Sequence, residues 1–227
     1  KHAVFEAMIL DGAQLDDIVV DKTRFERVGF DKLDMREFPF DGLSMRKCDF
    51  SKCNMSRMHI VDCDLTMSSF IETDLSGTTL ERCTIEMATI KDANLNSANL
   101  RGVQAKGAYF GGSSLKGTNF SEAKLRYCSL TGADIGKALF IKADLRDALI
   151  NKASAKRTCF QSARMVYADL SHTDATDADF SLANLRGARV HGLNDKGATY
   201  EGAITLLQRG TDEGLLAAEN YNPAQGN

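Results

Sequence analysis

The residue types in this chain that could do chemistry are six cysteines, four histidines and a recurring series of aspartates. Cys48, Cys53 and Cys63 would be the set for a thiolate zinc site, which wants tetrahedral convergence of its ligands. Cys63 and Cys83 would be the pair for a disulfide. His172 and His191 would be a two-ligand metal pair. Asp134, Asp144, Asp169 and Asp179 invite a reading as general acids. No Ser-His-Asp order, Gly-rich phosphate loop or HExxH motif accompanies them. Whether any of these groups can meet depends on the elements that carry them, and here those elements are written as a repeat.

Every residue whose number is a multiple of five is apolar from Phe5 to Val190, 38 positions in succession. A second phase-locked position lies two residues earlier and is small or apolar, as at Ala88, Ala93, Ala98, Ala123, Ala133 and Ala143. The residue between is often Asp or Asn, and the two that follow the centre are polar or Gly. The units read ANLNS (93–97), ANLRG (98–102), ADLRD (143–147) and ADFSL (178–182). A period of five fits neither the 3.6 of a helix nor the 2 of a flat strand. It fits a coil that turns a corner after each unit, with one or two side chains facing inward per side. Four corners close a coil of 20 residues, so residues n and n+20 stack at the β-ladder spacing of about 4.8 Å.

These units resemble the pentapeptide-repeat family, A(D/N)LXX, over residues 3–192 without an insertion. The resemblance implies an all-β fold, a right-handed quadrilateral β-helix, here of about nine to ten coils and a rod about 45 Å long. The chain divides into a solenoid over 1–200 and a C-terminal cap, helix and tail over 201–227. The small centres Ala105, Ala155 and Ala175 are each followed five residues later by Phe110, Phe160 and Phe180, which can fill the space they leave. Large residues two before the centre at Met8, Ile18, Val28, Leu33, Phe38, Leu43 and Met58 predict a wider start to the rod, where an upstream domain could dock.

At the other end the pattern breaks at Asp195 and recovers loosely at Tyr200. Thr211, Asp212 and Glu213 predict a helix start, followed by Leu215, Leu216 and Glu219, with Pro223 as a stop and Tyr221–Asn227 as a frayed tail. Such an element would cover the open ladder edge of the last coil. The other reading is a homodimer through this C-terminal element.

The repeat reassigns the chemistry. Five cysteines occupy the inward position, where Cys is a small core residue, and Cys159 does not. A zinc site from Cys48, Cys53 and Cys63 would need side chains from three walls of a filled core, and stacked Cys63 and Cys83 make poor disulfide geometry. His172 and His191 should be neighbours on one wall as polar surface. The recurrent Asp and Asn suit a turn, where they bond to local backbone. A filled solenoid leaves no internal pocket. The expectation is therefore no enzyme chemistry, no metal and no cofactor.

Function then belongs to an outer wall. The blocks centred on Phe5, Phe25, Met45 and every twentieth residue sum to +4, and the other three walls to −1, −2 and −3. On the positive wall, the column two after the centre reads Arg27, Lys47, Met67, Met87, Gly107, Tyr127, Asp147 and Tyr167, flanked by Lys124, Arg126, Arg146, Arg164 and Val166. Met67, Met87, Tyr127, Tyr167, Lys124, Arg126, Arg146 and Arg164 are the candidate partner-binding residues, since Met, Tyr and Arg are enriched at protein interfaces. The competing reading is that stacked Met and Tyr stabilise neighbouring coils, as cross-strand pairs do.

The family's best-known activity is DNA mimicry, in which an acidic rod occupies the DNA groove of a type II topoisomerase such as gyrase; that needs dense negative charge, and each wall here mixes signs. Resembling arrays also occur as C-terminal parts of type VI secretion accessory proteins and as secreted effectors. The expected function is a protein-interaction scaffold of that kind, with the topoisomerase-binding mimic as the alternative. A net charge of −3 does not suggest a nucleic-acid binder. No run of about 18 apolar residues predicts a membrane span. No signal peptide opens the chain, which starts at Lys1 rather than Met, compatible with a segment of a longer protein. Buried reduced thiols suit a cytoplasmic setting, and export as an effector without a signal peptide stays open.

Overall fold

The computed structural model describes residues 3–10, 12, 13, 20, 23–206, 208, 210–213 and 216. The chain winds as a four-walled parallel β-solenoid in which each residue pairs with the one twenty positions on. Strands β1 (Val4–Glu6), β2 (Arg24–Glu26) and β3 (Ser44–Arg46) form one parallel sheet, with Phe5 opposite Phe25 and Phe25 opposite Met45. Strands β4 (His59–Val61) and β5 (Thr79–Glu81) pair on another wall, Ile60 opposite Leu80. Single parallel bridges continue the same step of twenty up to Asn184 opposite Ile204. Each coil bonds to both neighbours: Met45 N–H donates to the Asp64 carbonyl at 2.7 Å, and Asp64 N–H to the Leu43 carbonyl at 2.9 Å.

Centres and the residues two before them fill the lumen, from Phe25 to Ala188. Rings one coil apart stack: Phe30, Phe50 and Phe70 on one wall at 5.1 Å, and Phe120, Phe140, Phe160, Phe180 and Tyr200 on another at 5.0–5.3 Å. Ala105, Ala155 and Ala175 are fully buried, as are Phe110, Phe160 and Phe180. At the N-terminal end Val28, Leu33, Phe38, Leu43 and Met58 enter the core, where Phe38 packs edge-on against Phe25, Phe30 and Phe40; Met8 is partly buried, and Ile18 lies outside the described residues. Among the described residues of the first coil, the centre Phe5 is exposed and Leu10 is partly buried.

Polar residues at the inward position are used as donors. Ser68, Thr73, Thr78, Ser113, Thr118, Thr158 and Thr173 each donate to the carbonyl of the centre 23 residues earlier, at 2.5–2.8 Å. A buried hydroxyl without a partner would be costly, and here the coil below supplies one. The Asp and Asn before each centre act as expected: Asp49, Asp169 and Asp179 accept from the N–H two residues on at 2.8–2.9 Å.

Corners have one geometry. From Ala7 to Gly202, every described residue two after a centre has φ between +51° and +75°, except Glu37. That exception adjoins Phe38 and Pro39; Pro39 has no N–H for the ladder and restricts the residue before it. At the top, Tyr200 donates to Asp195 at 2.8 Å, closing the core at the break in the pattern. Leu216 N–H donates to the Asp212 carbonyl at 2.9 Å, a single i to i+4 link within the stretch where the sequence predicts a helix. The rest of the expected helix and the tail 221–227 lie outside the described residues.

Candidate functional site

Met67, Met87, Tyr127 and Tyr167 each follow a buried centre by two: Leu65, Ile85, Leu125 and Met165. The turn closes behind them, with the next N–H donating to the centre's carbonyl, as Ala88 to Ile85 at 3.2 Å and Ala168 to Met165 at 3.0 Å. Positive φ at the third residue of the turn, +60°, +55°, +61° and +59° at these four, is the signature of a type II turn. Their side chains stand on the outside of the corner, 50%, 57%, 49% and 61% exposed. The expected column therefore exists as one edge of one wall.

Neighbouring coils shape how these side chains lie. A Cβ at Gly107 would sit 2.5 Å from the Met87 sulfur, and one at Gly187 would sit 2.5 Å from Tyr167 Cε1. Met87 and Tyr167 thus each lean over a glycine in the coil above, packing on that coil while keeping more than half of their surface in water. Tyr127 carries the Arg126 guanidinium 4.5 Å above its ring centre, and Arg126 bonds to Asp147 at 3.2 Å. Arg146 is held in a two-point grip by Asp144, at 2.7 and 2.5 Å. That hydrogen bonding holds the Asp144 carboxyl below its ordinary range.

Arg126 and Arg146 are thus committed within the wall. Lys124 and Arg164 are exposed and have no ion-pair partner among the described residues. Lys106 and Arg186, on the same wall, share that condition, and sequence reasoning missed both. The step of twenty that found the Met and Tyr column would have found them in the column one residue earlier.

The other candidates resolve differently. Cys48, Cys53, Cys63, Cys83 and Cys128 are buried free thiols, and Cys159 is partly exposed. Cys53 and Cys63 donate to the Phe30 and Phe40 carbonyls at 2.9 and 2.7 Å, the same link that the inward Ser and Thr make. Burial pushes Cys48 up to about 11 and Cys53 up to about 12. Cys83 is pushed up first by its hydrogen bond with Cys63, then by burial. His172 and His191 meet edge-on at 5.1 Å, and His191 Nδ1 accepts from Asp212 N–H at 3.2 Å. Among the described residues no three His, Cys, Asp or Glu side chains are placed to hold a metal ion, and no helix is long and apolar enough to cross a membrane. An outer-wall concavity of about 670 Å³ is lined by Lys116, Asp134, Gly136, Lys156 and Arg157. Three ion pairs take up charges at its lining: Lys116–Asp134 at 3.0 Å, Lys156–Asp174 at 3.1 Å and Arg157–Asp177 at 3.7 Å.

Comparison with known proteins follows the repeat. A family model described as a pentapeptide repeat region matches residues 43–120, and one described as pentapeptide repeats (8 copies) matches 106–140, 128–165 and 163–194. Among solved structures, the chain is similar to HetL, a pentapeptide repeat protein involved in heterocyst differentiation regulation from the cyanobacterium Nostoc sp. strain PCC 7120: 23% identity, 88% of each chain covered, TM-score 0.41. It is similar to QnrB1, a plasmid-mediated fluoroquinolone resistance protein, at 15% identity over 96% of each chain, TM-score 0.45. A protein of the Arabidopsis thaliana thylakoid lumen is 22% identical over 56% of this chain and 84% of that one, TM-score 0.28. No curated protein matches the chain.

Proposed function

Because the chain belongs to the pentapeptide-repeat family, we propose that it is a non-enzymatic protein-interaction scaffold whose contact surface is the wall carrying Met67, Met87, Tyr127 and Tyr167. One observation carries this reading: four large apolar side chains, each about half exposed or more, stand in one corner column of the wall with the highest positive charge. Apolar side chains grouped in this way on a rod are a contact surface in waiting. Tyr suits it by offering broad area at low cost in lost side-chain freedom, and Met by adapting its flexible, polarizable side chain to a partner.

A DNA-mimicking rod would need one wall of dense negative charge in place of phosphates. The most acidic wall sums to only −3, and pairs such as Arg82–Asp62 at 2.7 Å and Arg101–Glu122 at 2.9 Å neutralise carboxylates on it. The scaffold reading is therefore preferred, and a place in a type VI secretion apparatus is the setting proposed for it.

The test is affinity capture from lysate with the native rod beside the variant Met87→Ser, Tyr127→Ser, Tyr167→Ser. Partners retained by the native rod and lost by the variant, with circular dichroism unchanged, are the expected result. Secretion-apparatus proteins among them support the proposed setting. Capture that survives all three substitutions removes this wall as the contact surface, and topoisomerase subunits among the survivors favour the mimic instead.

A further inference from the structure

Tyr127 and Tyr167 lie among cations that the fold leaves unpaired. Between the coils of Gly107 and Gly187, Lys106, Lys124, Arg164 and Arg186 are exposed and lack ion-pair partners among the described residues. The acids of this stretch, Asp144 and Asp147, are occupied by Arg146 and Arg126. The blocks from Val103 to Gly187 on this wall sum to +4, whereas those from Ala3 to Met87 sum to zero. All of the wall's excess charge thus lies in the stretch that carries the two tyrosines, on the wall side of their corner, with Met87 at its border.

Spacing along the column selects the shape of an occupant. Met87, Tyr127 and Tyr167 are each two coils apart, about 9.6 Å at the ladder step of about 4.8 Å. A strand laid along the rod presents side chains on one face every 6.6 to 6.8 Å or so, out of step with that interval. A helix presents one every seven residues, about 10.5 Å apart, close enough over two intervals for side chains to absorb the difference. Resting on the reading of this wall as the contact surface, we propose that its occupant is an amphipathic α-helix with an acidic flank, lying along the rod with apolar residues at three successive heptad positions over Met87, Tyr127 and Tyr167. Carboxylates beside that apolar seam meet Lys106, Lys124, Arg164 and Arg186, which adds charge complementarity to the apolar contact.

The probe is a labelled Ala-rich helical peptide of about 18 residues with Leu at three heptad positions and Glu on both sides of them. It is titrated by fluorescence anisotropy against the full chain. Parallel titrations use the same peptide with Lys in place of Glu, and a single-stranded DNA oligonucleotide. Two variants of the rod are compared: Lys124→Glu, Arg164→Glu, Arg186→Glu, and Met87→Ser, Tyr127→Ser, Tyr167→Ser, each checked by circular dichroism.

The expected result is saturable binding of the Glu peptide, weakened about tenfold or more by either variant and by raised salt, with the Lys peptide inert. Equal binding of both peptides, no binding of the Glu peptide, or tighter binding of the oligonucleotide overturns the proposal. If the Glu peptide does not bind while lysate capture is still lost in the Ser variant, the acidic helix falls and the contact surface stands. If capture survives the Ser variant, the contact surface itself falls.

Discussion

Cys53, Cys63 and Cys83 donate to the carbonyls of Phe30, Phe40 and Ile60 in the coil below, as Thr73 and Thr118 donate to Phe50 and Leu95. A thiol in this position acts as a small core donor, and burial makes its ionised form unfavourable. The expected pH dependence follows from the sign of that shift. With Cys48 raised to about 11 and Cys53 to about 12, the unfolded chain releases these protons first as pH rises. Their contribution to stability is therefore complete below the ordinary thiol range near 9 and is lost as pH climbs from there towards 12. Urea midpoints measured from pH 7 to 11 should decline at the alkaline end, and the decline should flatten in the double variant Cys48→Ser, Cys53→Ser. In the native protein at pH 8, a thiol reagent should modify Cys159 alone, the others reacting after unfolding; rapid labelling of all six would contradict their burial.

Walls and corners were legible from the repeat to different depths. The inward columns could be read from number alone, because a period of five with a corner in each unit leaves no other face for an apolar centre. The aromatic stacks follow from the same step of twenty: Phe120, Phe140, Phe160 and Phe180 had to fall on one column. Replacing Phe140 by Ala removes a ring with stacked neighbours on both sides and should cost about 3–5 kcal/mol by chemical denaturation. A loss below about 1 kcal/mol would mean that the flanking coils collapse into the gap. How the corner residues lie was not legible in this way. Gly107 and Gly187, one coil above Met87 and Tyr167 in the same column, let those side chains fold onto the wall, and the lean itself is set by the side chain's own torsions and contacts, which spacing does not carry.

As a whole the molecule is a stack in which each coil bonds only to the coils beside it, so its stability is close to a sum of neighbour terms. The first coil has a neighbour on one side among the described residues and exposes its centre Phe5, whereas the coils from Leu100 to Ala188 have fully covered centres. Amide hydrogen exchange should therefore be fastest in 3–10 and slowest in the middle coils, between about 100 and 180. Uniform protection along the rod would show cooperativity beyond nearest neighbours.

The sequence by itself determined the period, the inward and outward columns, the turn role of Asp and Asn, and the wall on which Met and Tyr gather, because each depends only on residue number and side-chain character. Only the tertiary structure decided which charges on that wall remain available. Arg126 and Arg146 are taken up by Asp147 and Asp144 while Lys124 and Arg164 are left to solvent, an outcome set by distances of a few ångströms between side chains in the same and adjacent coils. It also decided that the inward Thr, Ser and Cys share one acceptor, the carbonyl 23 residues earlier, since that link appears only when one coil rests on the next.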